Sequence, residues 1–196
     1  MSRTLFVGDV HSCADELSAL LNMVQPERVI LLGDVFNKGP KPEETWSLVQ
    51  QWSAEAVLGN HDVAVIAAFE RGDVRAPPSA VEWLKKLPLT LEGPSWIAVH
   101  GGIDPVHGVS HTSREQAISM RRWPSEENDN SHWWRQYRGD KLVVYGHDAV
   151  MGLQDHRPYT LGLDSGCVYG KALTGYLLED DEVVGVRANA IYQPIG

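Results

Sequence analysis

Short apolar runs that stop at a glycine, or directly before a polar side chain suited to a metal, recur along this chain. Thr4–Val7 leads into Gly8, Asp9 and His11; residues 29–32 lead into Gly33 and Asp34; Val57 and Leu58 lead into Gly59, Asn60, His61 and Asp62. Residues 97–99 end at His100, and residues 142–145 end at Gly146 and His147. Each run is too short for a helix and rich in β-branched residues, so it predicts a strand. Strands of an open α/β sheet hold their C-terminal ends side by side, and residues just past those ends meet in one crevice.

Helices are predicted between these strands. After His11, Leu17, Leu20, Leu21 and Val24 fall at helical spacing, with Ser12 or Asp15 as cap and Pro26 as stop. Pro42, with Glu43 and Glu44 behind it, opens a second helix whose Trp46, Val49 and Trp52 would face a sheet. Val63, Ile66 and Ala67 mark a third. Ser79 and Glu82 fit a capping box for a fourth that carries Ala80, Trp83, Leu84 and Leu87 and ends at Pro88. Residues 89–91 pair with 96–99, and the remainder reads as strand at 142–145, 159–163, 172–178 and 182–186, the last two joined by an acidic turn. The opening is thus a βαβα pattern, and the fold class is α/β. Residues 121–138, RRWPSEENDNSHWWRQYR, break the pattern and predict an exposed insertion within one domain spanning 1–196. Trp123, Trp133 and Trp134 there would either stack on a nucleobase or pack beneath the loop.

Composition narrows the setting. A chain of 196 residues with 43% hydrophobic and 22% charged residues is long enough for a full core. The longest apolar run is too short to span a bilayer, the start lacks a secretory pattern, and two cysteines make no disulfide framework, so a cytoplasmic protein is expected. Cys13 reads as a buried thiol on the first helix. A net charge of −9 argues against a binder of duplex nucleic acid. An anionic substrate is then drawn in by metals and a few basic side chains.

The residues that carry the chemistry also carry a resemblance. GDVH at 8–11, GDVFNKG at 33–39, GNHD at 59–62, HGG at 100–102 and GH at 146–147 resemble the calcineurin-like metallophosphoesterases, in particular the phosphoprotein phosphatase branch that includes bacterial diadenosine tetraphosphatases. LDSGCVYGKALTGYLLED, within residues 161–180 and ending at Asp180, resembles the C-terminal end of that tetraphosphatase group. The resemblance implies two mixed β-sheets packed as a sandwich with flanking helices. It implies two divalent ions, manganese foremost among iron, zinc, nickel and magnesium, with Asp9 and His11 on one, Asp34 shared, and Asn60, His100 and His147 on the other. His61 would protonate the leaving group, oriented from position 37, where many relatives have aspartate and this chain has Asn37. Lys38 stands where many have a phosphate-gripping arginine, and Ser12 where glycine is usual. Arg121 and Arg122 are candidates for a second phosphate ligand, with Arg135 and Arg138 behind them, and Tyr169 would line the site. His107, His111, His132 and His156 sit in loops without such context and are read as ordinary residues.

The activity implied is hydrolysis of dinucleoside polyphosphates such as diadenosine tetraphosphate. The alternatives are a serine/threonine phosphoprotein phosphatase or small-molecule phosphomonoesterase, and, from another class, a binding module without turnover. Retention of all six ligands argues against the last. Ala149, where nuclease relatives often have a second histidine, argues against a nuclease.

Overall fold

Along β1 (Thr4–Val7), Leu5 and Val7 face one hydrophobic cluster and Phe6 another, the period of two expected of a strand buried on both sides. The same split runs through the computed structural model, which describes residues 3–123 and 131–194. In β2 (Arg28–Leu31), Val29 and Leu31 join the first cluster, while Ile30 joins Phe6 in the second. Trp96 and Ala98 of β5 (Trp96–Val99) enter that second cluster from the opposite side, and Ile97 and Val99 turn away into a third.

Three clusters therefore separate four layers. The first sheet has the order β10-β9-β1-β2-β3, with β3 at Glu55–Ala56, β9 at Ala172–Leu177 and β10 at Glu182–Arg187. The second has the order β4-β5-β6-β8-β7, with β4 at Thr90–Glu92, β6 at Leu142–Tyr145, β7 at Gln154–His156 and β8 at Thr160–Gly162. Both are mixed: β1, β2 and β3 run parallel, as do β5, β6 and β8, while the outer pairings of β4–β5, β7–β8 and β1–β9–β10 are antiparallel. Phe6 locks the sheets together edge-on against Trp96, 5.0 Å between centroids. The expected sandwich of two mixed sheets is what forms.

Helices α1 (Ala14–Val24), α2 (Pro42–Gln51), α3 (Asn60–Glu70) and α4 (Pro78–Leu84) accompany the first sheet. Leu17, Leu20, Leu21 and Val24 bury the inner stripe of α1 as predicted. The caps differ from expectation. Cys13, not Ser12 or Asp15, occupies the N-cap of α1 with no side-chain bond, because Ser12 is held in a tight turn by its own backbone bond to Val35. Ser79 lies inside α4, since Pro77 and Pro78 start that helix first. Trp46 meets Trp83 of α4, 5.5 Å between centroids, so it joins helix to helix as well as covering the core.

The outer face of the second sheet is covered by a helix the apolar pattern did not signal, α5 (Arg114–Ser119), with a Ser113–Gln116 capping box, and by the 3-10 turn Trp133–Arg135. Of the insertion expected at 121–138, residues 124–130 lie outside the described part; at its ends Arg121, Arg122, Arg135 and Arg138 are exposed, whereas Trp133, Trp134 and Tyr137 are buried in the third cluster. For Trp133 and Trp134 the packing alternative holds. Among the described residues no helix is long and apolar enough to cross a membrane.

Candidate metal centre and active site

The C-terminal ends of six parallel strands, three from each sheet, point to one place. Asp9 follows β1, Asp34 follows β2, Asn60 opens α3 after β3, His100 follows β5, and His147 follows β6. The sixth, Asp164 after β8, was not singled out from sequence, although Leu161–Leu163 running into an aspartate is the same signal that marked the other ends. Backbone bonds fix the arrangement: between the sheets the His147 amide donates to both Asp9 oxygens at 3.1 and 3.3 Å, and within the first sheet's strand ends the His11 amide donates to the Asp34 carbonyl at 2.8 Å.

Such convergence needs close backbone approach and unusual dihedrals. A β-carbon on Gly59 would collide with Asp34, and one on Gly146 would collide with Asp9. Positive φ at His11, Ser12, Asp34, Asn37, Lys38 and His147 puts six non-glycine residues of the site in the left-handed region. Strain of this kind persists where surrounding structure over-determines it, commonly at functional sites.

The ring nitrogens reveal what the site is built to hold. His11 Nδ1 faces the Phe36 carbonyl at 3.3 Å, His100 Nδ1 the Leu32 carbonyl at 2.7 Å, and His147 Nε2 the Ser119 carbonyl at 3.0 Å. Carbonyls only accept, so each of these nitrogens carries hydrogen. In the neutral ring the other nitrogen is a lone pair, and it too faces oxygen: His11 Nε2 lies 3.7 Å from Asp34 Oδ2, His100 Nε2 lies 3.4 Å from Asp34 Oδ1, and Asn60 Oδ1 lies 3.0 Å from His100 Nε2 and 2.9 Å from His147 Nδ1. Lone pairs facing lone pairs are relieved by a bound cation or, at His100, by a proton. His–carbonyl bonding of this type orients metal ligands.

Charge supports the same fit. Burial pushes the His11 and His147 imidazoles down, to about 4 and about 3, keeping both in the neutral form that ligates. Burial would lower His100 as well, but Asp34 and Asp9 draw a proton onto it and raise it to about 10. Burial and the neighbouring Asp164 push Asp9 well above the usual carboxylate range, and burial raises Asp164 to about 6. Against burial, His100, His11 and His61 hold Asp34 below that range. The buried acids thus outnumber the positive charge available among them. Donor atoms of His11, Asp34 and His61 lie within 4.8 Å of one another, as do those of Asp9, Asp34 and His100, so two groups share Asp34. A mixed imidazole, carboxylate and amide set suits divalent first-row metals.

A cavity of about 270 Å³ opens over this cluster, lined by Asp9, His11, Asp34, His61 and His147 and by the cations Lys38, Arg121 and Lys171. The matches to known proteins agree with this geometry. The calcineurin-like phosphoesterase family model matches residues 2–185. The chain belongs to that family. It is 36% identical to the symmetrical bis(5'-nucleosyl)-tetraphosphatase of Vibrio vulnificus, an alignment covering 93% of this chain and 97% of that one. It is 26% identical to a zinc-dependent endopolyphosphatase of Saccharomyces cerevisiae, over 90% of this chain and 76% of that one. A crystal structure provisionally assigned as a diadenosine tetraphosphatase superposes with a TM-score of 0.88 at 28% identity, covering 96% and 95% of the two chains. The protein is accordingly a metal-dependent hydrolase of the metallophosphoesterase class, a family with dinuclear centres.

Around the ligands, this phosphoesterase arranges the remaining residues unequally. Asn37 Nδ2 donates to His61 Nδ1 at 3.1 Å, which leaves the proton of the neutral ring on Nε2. Burial and the nearby Lys38 lower the His61 pKa against the pull of Asp34. Lys38 Nζ donates to the Tyr169 hydroxyl at 2.8 Å, and both line the cavity. Arg121 lines it too, tied to the His147 carbonyl at 3.2 Å and facing Asp148 at 3.7 Å. Arg122 does not: its backbone bridges His132, and together with Arg121 it lines a separate groove beside Ser113 and Glu115. Arg135 and Arg138 lie with Trp134 and Tyr159 at a third surface depression, also away from the cavity. His107, His111, His132 and His156 are absent from the cavity lining.

Sequence reasoning missed Lys171, which follows the Tyr169 turn, and gave Asp62 of the GNHD block no role of its own. The buried Asp62 carboxylate accepts from the amides of Val35, Phe36 and Gly59 at 3.0 to 3.3 Å, pinning the Asp34 loop to α3. Burial and the Asp34 charge raise it to about 7.

Proposed function

We propose that this chain is a dinuclear phosphohydrolase that cleaves the phosphoanhydride chain of dinucleoside polyphosphates, diadenosine tetraphosphate among them, with manganese as the working ion. The observation that carries the reading is the placing of Lys38, Arg121 and Lys171 around one cavity above the ligand cluster. That is more positive charge than a single phosphoryl group needs, and it fits a run of phosphates. The relatives named above, a tetraphosphatase and an endopolyphosphatase, are both hydrolases of polyphosphate chains by name, which supports this reading.

In this reading Asp9 and His11 hold one ion, Asp34 is shared, and Asn60, His100 and His147 hold the other. Bound together, two such ions supply Lewis acidity at the phosphoryl oxygens and a nucleophile from water at neutral pH. Lys38, braced by Tyr169, and Arg121, braced by the His147 carbonyl, position the phosphates. Protonated on both nitrogens, with the Asn37 amide turned so that Oδ1 accepts from Nδ1–H, His61 delivers its Nε2 proton to the departing oxygen and returns to the neutral ring, general-acid help worth about 10²- to 10⁴-fold for a poor leaving group. A nucleoside diphosphate leaves readily, which is compatible with Asn37 in place of a carboxylate behind His61. Two reduced, buried cysteines suit a cytoplasmic setting.

The test is chromatographic analysis of products after incubation with diadenosine tetraphosphate and manganese, with Asp34→Asn as control. Symmetric cleavage to ADP, lost in the variant, is expected. Turnover of a phosphopeptide or an aryl phosphate with diadenosine tetraphosphate left intact would replace this reading with the phosphatase one.

A further inference from the structure

Behind the active site lies a second group of metal-type side chains that the hydrolytic mechanism does not use. Cys13, at the N-cap of α1, Glu16, in its first turn, and Cys167, on the 3-10 turn Cys167–Tyr169, offer two sulfurs and a carboxylate oxygen all within 4.8 Å of one another. Each residue is only 1% exposed. Glu16 Oε1 accepts from the Asn189 amide and the Tyr192 hydroxyl, both at 2.8 Å, whereas Oε2 has no hydrogen-bond partner. A buried carboxylate oxygen left unpaired is costly, and each such group in a native fold calls for a reason.

From this juxtaposition we propose that Cys13, Glu16 and Cys167 form a separate binding site for one thiophilic cation of the zinc class. Cysteine sulfur selects for zinc and similar soft ions. Sulfurs bound at about 2.3 Å in a tetrahedron lie about 3.8 Å apart, so these donors need only a small closure, and one tetrahedral position remains for a further ligand. A Cys13–Cys167 disulfide, the competing use of the two thiols, leaves Glu16 Oε2 as unpaired as before. The site joins the segment just after His11, the turn bearing Tyr169, and the 188–192 segment held by Glu16. A cation there acts as a clip behind the Lys38–Tyr169 wall of the cavity.

The experiment is anaerobic titration of the reduced, chelator-stripped full chain with cobalt(II), read in the near ultraviolet. A thiolate-to-cobalt charge-transfer band is expected whose final intensity corresponds to one thiolate-bound cobalt per chain, of up to three bound in all. Asp34→Asn retains the band, because oxygen and nitrogen ligands do not produce it, and Cys167→Ser loses it. Glu16→Gln weakens cobalt binding at this site at least tenfold. If the cysteine variants do not fold, the wild-type spectrum alone decides: absence of the band in the folded protein overturns the proposal. Recovery of Cys13 and Cys167 as a disulfide that resists loading after reduction also overturns it and makes the pair a redox couple. Neither result bears on hydrolysis of diadenosine tetraphosphate, so the two readings fail separately.

Discussion

At Asn37 an amide nitrogen, where many related enzymes have a carboxylate, faces His61 Nδ1. The bond orients the neutral ring; the amide must turn to offer Oδ1 to an imidazolium, and even then it adds no charge to stabilise it. Asn37→Asp is therefore expected to raise kcat on an alkyl phosphomonoester about tenfold, at the low end of general-acid contributions, and to change kcat on diadenosine tetraphosphate much less. Equal effects on the two substrates would remove His61 from leaving-group protonation. Ser12 is a second departure with a physical consequence. Its φ of 60° explains why glycine is usual there, and its buried hydroxyl has no partner. Ser12→Gly relieves left-handed strain and an unpaired hydroxyl against some gain in unfolded-state entropy, for a net stabilisation of about 1 kcal/mol. A Tm raised by about 2–4 °C is expected for a chain of this size; a lowered Tm would mean the hydroxyl has work in the native site.

Among the elements, the 3-10 turn Trp133–Arg135 supports the site from behind. Trp133 Nε1 donates to the Gly101 carbonyl at 2.9 Å, its ring packs against Tyr145, and a side chain at Gly102 would meet the same ring. The turn that delivers His100 therefore rests on an indole. Trp133→Ala is expected to cost about 3–5 kcal/mol in urea unfolding, the range for deleting a large buried aromatic, and to depress activity as the 100–102 turn loses its support. Trp133→Phe keeps most of the packing and costs about 1 kcal/mol for the lost hydrogen bond. Full activity in a folded Trp133→Ala protein would show that the loop holds His100 unaided.

On the scale of the whole molecule, a net charge of −9 surrounds a cavity that carries Lys38, Arg121 and Lys171. Attraction of a polyanion into this cavity is exposed to screening, with a Debye length near 10 Å at 0.1 M salt. Raising ionic strength is expected to lower kcat/KM for diadenosine tetraphosphate more steeply than for a phosphomonoester, mainly through KM. Lys171→Ala flattens that dependence and leaves the monoester nearly unchanged. Identical salt slopes for the two substrates would remove the polyphosphate track from the explanation.

What the sequence determined by itself was local. Apolar period, glycine breaks and the ligand following each strand specified the βαβα opening, the two mixed sheets through family resemblance, and the residues that meet at the strand ends. These are readable because strand burial and strand termination are written in consecutive residues. Tertiary structure alone decided which distant segments share a space. It brought Asp164 and Lys171 to the cavity, placed Arg121 but not Arg122 in its lining, and buried Trp133 and Trp134. It also brought Cys13 and Glu16 to Cys167 across more than a hundred residues of chain. Side-chain direction and long-range contact depend on how two sheets pack, and no pattern within one segment encodes that.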